Sequence, residues 1–137
     1  MKRSATATWN GGLKDGQGAF GVASGAIKDL KFGFRTRFED APGTNPEELI
    51  AAAHASCFSM ALSAQLGERG ITPKAIDTAC EITFENLTLA HSALRTTVTA
   101  PGADPAKVRE AAAAAKAGCP ISKVLKLEIS LELDVRA

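Results

Sequence analysis

The segment TNPEELIAAAHASCFSMALSAQLGERG, residues 44–70, constrains the fold more than any other part of the chain. Thr44 or Asn45 can cap a helix here, and Pro46 suits the first helical position. Alanines and larger apolar residues lie on every side of this helix, so we expect it to be buried. One chain of 137 residues offers limited material to cover it. We therefore expect a homodimer with a large shared core.

The rest of the chain predicts a mixture of strands and helices. Alternating apolar and polar residues predict strands near 4–9, 19–24, 33–39, 73–85, 92–100 and 127–135. An alanine run predicts a helix over 104–117, and a short helix at 121–125 follows Pro120. This order predicts an α+β protein, with antiparallel sheets packed around a long buried central helix. No linker or repeat divides the chain, so we expect a single domain, 1–137.

Composition excludes several classes of function. A net charge of +1 without a basic stripe argues against nucleic-acid binding. The first residues lack the apolar core of a signal peptide. The apolar stretch 49–62 is interrupted by His54, Ser56 and Ser59, and we expect it to be too short to span a membrane. These features favour a cytoplasmic protein. Three cysteines without a CxxC pair and only two histidines argue against a structural zinc site.

The cysteine in the middle of the central helix, Cys57, has two interpretations. A free cysteine often behaves as a small buried hydrophobe, and the residues alone leave packing and reactivity evenly balanced. The helix dipole acts only near the helix start, so a reactive thiolate at Cys57 would need a separate cation. His54 lies one turn earlier and could approach it. We expect instead that His54 is hydrogen-bonded to a backbone or side-chain oxygen.

Other candidate residues are also ambiguous from sequence alone. Cys119, in AGCPIS, lies where two helices meet and has room to act as a disulfide partner, but it could equally be a packed junction residue. Cys80 lies on the apolar face of a strand, and we assign it no chemistry. Arg37 shares the polar face of its expected strand with Arg35. Glu47 is a normal acid for the first turn of a helix.

Two stretches resemble a known family. GFRTRFEDAPGTNPEELIAAAHASCFSMALS and AKAGCPISKVLKLEISLEL are similar to the OsmC/Ohr family of osmotically inducible and organic hydroperoxide resistance proteins. The resemblance runs from ATATWNG to the last strand. The motifs NPEELIAAAHASC and GCPISKVL agree in wording, order and separation. TRFE before the helix and His54 near the thiol are closer to the OsmC branch.

The resemblance implies a thiol-dependent peroxidase that reduces organic hydroperoxides to alcohols in defence against oxidative or osmotic stress. The family's peroxidatic cysteine corresponds to Cys57 and its resolving cysteine to Cys119. Its arginine and paired glutamate correspond to Arg37 and Glu47. The family fold is an intertwined α+β homodimer with its sites at the interface. A dithiol, from a lipoyl-protein or another thiol, would reset the disulfide, and no cofactor or metal is implied. Cys80 and Arg35 have no role in this pattern.

Helix geometry adds a hypothesis to this resemblance. Glu47 and Cys57 are ten positions apart on one helix, or about 15 Å in rise. In a straight helix both could not contact one guanidinium, so we expect Arg37 and Glu47 to serve the Cys57 of the other subunit. We also expect Phe58, Met60, Leu62 and alanines to line the thiol and to favour alkyl hydroperoxides over hydrogen peroxide.

Two alternative functions use the same residues. A cysteine hydrolase or acyl transferase would use Cys57 with His54 and would not need Cys119. A non-catalytic binder of hydrophobic ligands would need no reactive thiol. Disulfide formation on peroxide treatment would separate the peroxidase from both.

Overall fold

The computed structural model describes residues 1–137, which divide into two units, Met1–Leu49 and Ile50–Ala137. The first unit contains three antiparallel strands: β1 (Ala5–Asn10), β2 (Gln17–Val22) and β3 (Leu30–Phe32). Phe32 packs on Trp9 and Phe20, with ring centroids 5.6 and 5.8 Å apart. Gly18 is required here, because a Cβ would lie 2.5 Å from the Phe32 ring. The expected three-stranded meander is confirmed, although its third strand lies earlier in the chain.

The prediction of a strand at 33–39 is wrong, because this segment forms a short helix, α1 (Phe34–Phe38). Thr36 Oγ1 accepts a hydrogen bond from the amide of Gly33 and donates one to its carbonyl, both at 3.0 Å. The rings of Phe34 and Phe38 lie 4.8 Å apart, and Arg35 Nε donates to Glu39 Oε2 at 3.2 Å. Residues four apart are neighbours on a helix but lie far apart along a strand, so these pairs favour the helix over the strand that alternation predicts.

The central helix, α2, spans Pro46–Glu68, and Asn45 is its cap because Asn45 Oδ1 accepts from the Glu48 amide at 2.8 Å. It buries one stripe, whose members lie four positions apart: His54, Phe58, Leu62 and Leu66. The opposite face is open, and Met60 is 76% exposed. The single chain therefore leaves one face of α2 uncovered, and the expected burial of this face in a homodimer stays a prediction.

The length of α2 also bears on the membrane question. With 23 residues it is longer than the stretch counted from the sequence, and it is long and apolar enough to cross a membrane by length and composition. The core helix of a soluble protein can have the same length and apolar composition, so these two properties do not show whether α2 spans a membrane.

The second unit holds the rest of α2 and a three-stranded sheet. Its further elements are β4 (Ala75–Glu85), β5 (Thr88–Thr99), α3 (Pro105–Gly118), α4 (Pro120–Val124) and β6 (Glu128–Arg136). β4 and β5 are antiparallel, but β5 and β6 pair in parallel, so the expectation of purely antiparallel sheets is wrong. The two helices between β5 and β6 form a crossover, which returns the chain to the same end of the sheet. All buried apolar side chains of the protein lie in this unit.

Candidate active site

The two thiols singled out from the sequence lie in contact in the second unit. Cys57 is half-buried on α2, and Cys119 is fully buried between α3 and α4. A hydrogen bond of 2.8 Å joins the Sγ atom of Cys119 to that of Cys57. Both thiols are free. A disulfide bond is about 2.05 Å long, so less than an ångström of movement would join them.

The surroundings of the two sulfurs affect their protonation differently. Burial raises the pKa of the Cys57 thiol. Burial also acts to raise the pKa of Cys119, but hydrogen bonding with Cys57, with Ser122 and with the Ile121 backbone outweighs it, and the pKa is lowered. The groups of this unit therefore lower the pKa of Cys119 and do not lower that of Cys57. A nucleophilic Cys57 needs a cation from elsewhere, as helix geometry indicated.

The arginine and glutamate singled out from the sequence are paired in the first unit. Arg37 lies on α1, and its Nε and Nη2 donate to one oxygen, Glu47 Oε1, at 3.1 and 2.9 Å. The sequence placed Arg37 on a strand, which is wrong, but Glu47 is its partner as the resemblance implied. The Arg37 side chain is 40% exposed and that of Glu47 is 11% exposed. The carboxylate is thus held in place while part of the guanidinium stays accessible.

An apolar cavity of about 260 Å³ lies beside this guanidinium. Its walls come entirely from the first unit: Trp9, Leu13, Phe32, Gly33, Phe34, Phe38 and Pro46, together with Arg37. The side chains expected to line the thiol are placed differently. Phe58 and Leu62 are core residues with no exposed surface, and Met60 faces solvent. The apolar lining that we expected around the Cys57 thiol is therefore found instead around the Arg37 guanidinium.

His54 is a buried, hydrogen-bonded histidine, as expected. Its Nδ1 lies 2.6 Å from Ser92 Oγ, and its Nε2 lies 2.8 Å from Ser122 Oγ. Burial lowers the pKa of His54, so its neutral form is favoured. Both ring nitrogens are occupied by serines, so His54 does not act on Cys57 as a hydrolase base would.

Sequence reasoning missed the two serines. Ser122 follows Cys119 by three positions in GCPIS, which was a usable signal. Ser92 lies on β5, 38 positions from His54, and no local pattern indicates this contact. Ser92 Oγ also lies 3.2 Å from Cys80 Sγ, while burial raises the pKa of Cys80. No cluster of three or more His, Cys, Asp or Glu side chains is placed to hold a metal ion.

Comparison with known proteins relates the chain to one family. The family model described as "OsmC-like protein" matches residues 38–134. The chain is 44% identical over its whole length to "Peroxiredoxin OsmC" of Escherichia coli (strain K12), covering 99% of that protein. It is equally similar to the protein of the same name from Shigella flexneri.

Two solved structures share the fold. The OsmC-like protein from Mycoplasma pneumoniae has a TM-score of 0.77 and 15% identity, with 100% of this chain and 99% of that chain covered. The organic hydroperoxide resistance protein OhrB of Bacillus subtilis has a TM-score of 0.68 and 24% identity, with 96% and 97% covered. At these identities the likeness shows the fold alone.

The identity of the chain follows from its full-length relatives. The matching peroxiredoxins and the pair of thiols in contact identify a cysteine-based peroxidase. By the match of the family model and by 44% identity over the full chain, this protein belongs to the OsmC family.

Proposed function

We propose that this protein reduces organic hydroperoxides to alcohols, with Cys57 as the peroxidatic thiol and Cys119 as the resolving thiol. The observation that carries the proposal is the 2.8 Å separation of the two free sulfurs. Cys57 is partly exposed, so a substrate can reach its sulfur. Cys119 is buried, so its sulfur would react only after Cys57 has been oxidised.

The reaction is balanced in three steps. The Cys57 thiolate attacks one peroxide oxygen, the O–O bond breaks, and the other oxygen leaves as an alkoxide that takes up a proton. Cys57 becomes a sulfenic acid, and Cys119 condenses with it to give a disulfide and water. An external dithiol, from a lipoyl-protein or another thiol, then reduces the disulfide by exchange.

Arg37 supplies the cation that Cys57 lacks. The guanidinium would stabilise both the thiolate and the charge that develops on the leaving oxygen. Glu47 fixes the guanidinium through its two hydrogen bonds. Because α2 runs without interruption from Pro46 to Glu68, ten residues separate Glu47 from Cys57 by about 15 Å in rise. Arg37 and Glu47 therefore serve the Cys57 of a second subunit.

The second subunit is part of this proposal. In the single chain the first unit buries no apolar side chain, and one face of α2 stays open. An apolar face that the single chain leaves uncovered is typical of an interface between subunits. We propose an intertwined homodimer in the cytoplasm, in which α2 becomes the buried central helix.

The apolar cavity beside Arg37 supports an organic substrate. Its aromatic walls would bury an alkyl or aryl group, while the guanidinium faces the peroxide oxygens. Hydrogen peroxide has no group to bury there. The chain would accordingly prefer organic hydroperoxides.

Peroxide treatment followed by mass spectrometry tests the assignment. One equivalent of cumene hydroperoxide should convert the reduced protein to a form with a Cys57–Cys119 disulfide and a free Cys80. The Cys119→Ser variant should stop at a sulfenic acid on Cys57 that dimedone traps, and Cys57→Ser should not react. Free thiols at both positions in the treated wild-type protein would refute the proposal.

A further inference from the structure

A second contact lies beside the contact between the two thiols. His54 precedes Cys57 by three residues on α2, and Ser122 follows Cys119 by three residues, within α4. His54 Nε2 lies 2.8 Å from Ser122 Oγ, and the two sulfurs are also 2.8 Å apart. Three residues rise about 4.5 Å along a helix. The segment 119–122 is therefore held against α2 at two points, which are close to one helical turn apart.

His54 also connects this segment to the sheet. Its Nδ1 lies 2.6 Å from Ser92 Oγ on β5, which is the central strand of its sheet. Hydrogen bonds at both ring nitrogens fix the position and the rotation of the imidazole. His54 and Ser92 have no exposed surface, and Ser122 is 8% exposed. Little water can compete for these hydrogen bonds, so they hold their geometry.

The helix that carries Ser122 depends on such contacts, because it is very short. α4 has five residues, Pro120–Val124, and an isolated helix of that length is marginal in water. Ile121 packs against the core, but apolar burial is non-directional. The hydrogen bond from α4 to His54 requires a defined distance and angle. It therefore sets where the residue just before α4, Cys119, lies relative to α2.

The histidine at position 54 contributes more than packing. It lies at one end of a buried stripe whose other members are Phe58, Leu62 and Leu66. An apolar side chain could continue this stripe, whereas burial of a polar ring costs free energy unless its hydrogen bonds are made. What the histidine adds is a hydrogen bond to the helix that follows the resolving cysteine.

We propose that His54 is a positioning residue that holds α4 against α2 through Ser122, and so keeps the Cys119 sulfur within reach of Cys57. This role rests on the proposed peroxidase function, in which the Cys119 sulfur attacks the Cys57 sulfenic acid. The S–S bond forms, the S–O bond breaks, and the hydroxyl group leaves as water with the Cys119 thiol proton. The Cys119 sulfur is oxidised and the Cys57 sulfur is reduced. His54 and Ser122 act on this step by geometry alone.

Separate measurement of the two chemical steps tests this role. Reduced protein is mixed rapidly with cumene hydroperoxide, and samples are quenched over time. Dimedone labelling reports the sulfenic acid on Cys57, and mass spectrometry reports the disulfide. In Ser122→Ala the sulfenic acid should form at the wild-type rate. The disulfide should form about tenfold or more slowly, because misplacement of a reacting group by about 1 Å can cost a factor of about a hundred.

Two substitutions of His54 separate its two hydrogen bonds. Glutamine carries its amide one bond further from the backbone than asparagine does, so glutamine reaches the place of Nε2 and asparagine that of Nδ1. His54→Gln can keep the bond to Ser122, and its disulfide should form at close to the wild-type rate. His54→Asn can keep only the bond to Ser92, and it should slow disulfide formation as Ser122→Ala does. A role in stability alone would not separate these two variants by which bond they keep.

Ser59→Ala is a matched control, because it removes a hydrogen bond of the same length elsewhere on α2. The Ser59 hydroxyl donates to Thr78 Oγ1 at 2.8 Å. Loss of this bond should change neither the oxidation of Cys57 nor the formation of the disulfide. Slower disulfide formation in Ser59→Ala, equal to that in Ser122→Ala, would count against a specific role of the His54–Ser122 contact.

Each outcome decides the positioning role. Wild-type disulfide formation in Ser122→Ala, equal slowing of both steps, or equal rates in His54→Gln and His54→Asn would overturn it. If a His54 variant does not fold, Ser122→Ala decides together with Ser59→Ala.

Failure of the proposed function would be seen separately, as the absence of a sulfenic acid in the wild-type protein. The equilibrium of the Cys57–Cys119 disulfide with reduced and oxidised glutathione needs no peroxide, and it then tests the positioning role. Ser122→Ala should shift this equilibrium towards the two free thiols by about tenfold, because its thiols are less well placed to join. An equilibrium equal to that of the wild type would overturn the role.

Discussion

The Sγ atoms of Cys57 and Cys119 lie 2.8 Å apart, although the two residues are 62 positions apart in the chain. A bond between them would close a loop of this length and restrict the unfolded state. In the chain-entropy model such a loop contributes about 4 kcal/mol to the free energy of unfolding. We expect the oxidised protein to unfold at clearly higher urea concentration than the reduced one. Cys119→Ser should show the same urea midpoint before and after peroxide, and equal midpoints in the wild type would contradict the expectation.

Arg37 should be required for oxidation of Cys57 but should act from the other subunit. Arg37→Ala should slow sulfenic acid formation about a hundredfold, since it removes a charge that stabilises the leaving oxygen. Heterodimers of Arg37→Ala and Cys57→Ser chains should regain one working site. Arg35→Ala removes only an exposed pair with Glu39 and should be nearly neutral. If the mixed dimers stay inactive, the two residues act within one chain.

The cavity beside Arg37 should determine preference for organic substrates. Phe34→Ala removes part of its wall and should lower kcat/KM for cumene hydroperoxide about tenfold. The value for hydrogen peroxide should stay unchanged, because that substrate buries no carbon. Leu87→Ala, at an 81% exposed leucine outside the cavity, is the matched control. An equal loss with both peroxides would exclude a role for the cavity in specificity.

The open face of α2 should be the dimer interface. Met60→Asp would place a charge in the shared core, where an unpaired charge is strongly unfavourable. We expect this variant to be monomeric, or much weaker as a dimer, in analytical ultracentrifugation. Leu87→Asp introduces the same charge at an equally exposed position on the β4–β5 turn and should leave the dimer intact. Dimers of Met60→Asp at wild-type strength would place the interface elsewhere.

His54 should make stability depend on pH in a defined direction. Burial lowers its pKa below the ordinary value of 6.5, so the unfolded chain binds this proton more readily than the folded one. The free energy of unfolding should therefore fall as the pH drops below 6.5 and level off below the folded pKa. His54→Gln should lose this component in urea titrations at several pH values, and His91→Gln should keep it. An unchanged pH slope in His54→Gln would contradict the assignment.

Local sequence signals predicted most elements, and their failure at α1 has a physical reason. Phe34, Thr36 and Phe38 alternate like a strand, but the same stretch also pairs residues four positions apart, Phe34 with Phe38 and Arg35 with Glu39. Both periodicities are present, and the side-chain bonds of Thr36 to Gly33 favour the helix. Alternation alone could not distinguish the two.

The remaining differences depend on contacts between distant residues. β6 alternates as well as any antiparallel strand does, so its parallel pairing with β5 cannot be read from its own residues. The candidate residues Cys57, Cys119, Arg37 and Glu47 came from the motifs, and geometry then grouped them into two pairs. The partner of His54 on β5 lies 38 positions away, beyond the reach of any local pattern.

The crossover between β5 and β6 has a consequence for the fate of the protein under heavy oxidation. Both ends of this connection are fixed in one sheet, so Cys119 cannot drift away from Cys57. Well-placed intramolecular partners behave as if present at effective molarities of about 10⁵ M or more. Free peroxide in a cell is far more dilute than that, so in the proposed mechanism the sulfenic acid on Cys57 would meet Cys119 before it meets a second peroxide. The chain would thereby be protected from irreversible over-oxidation by its own substrate.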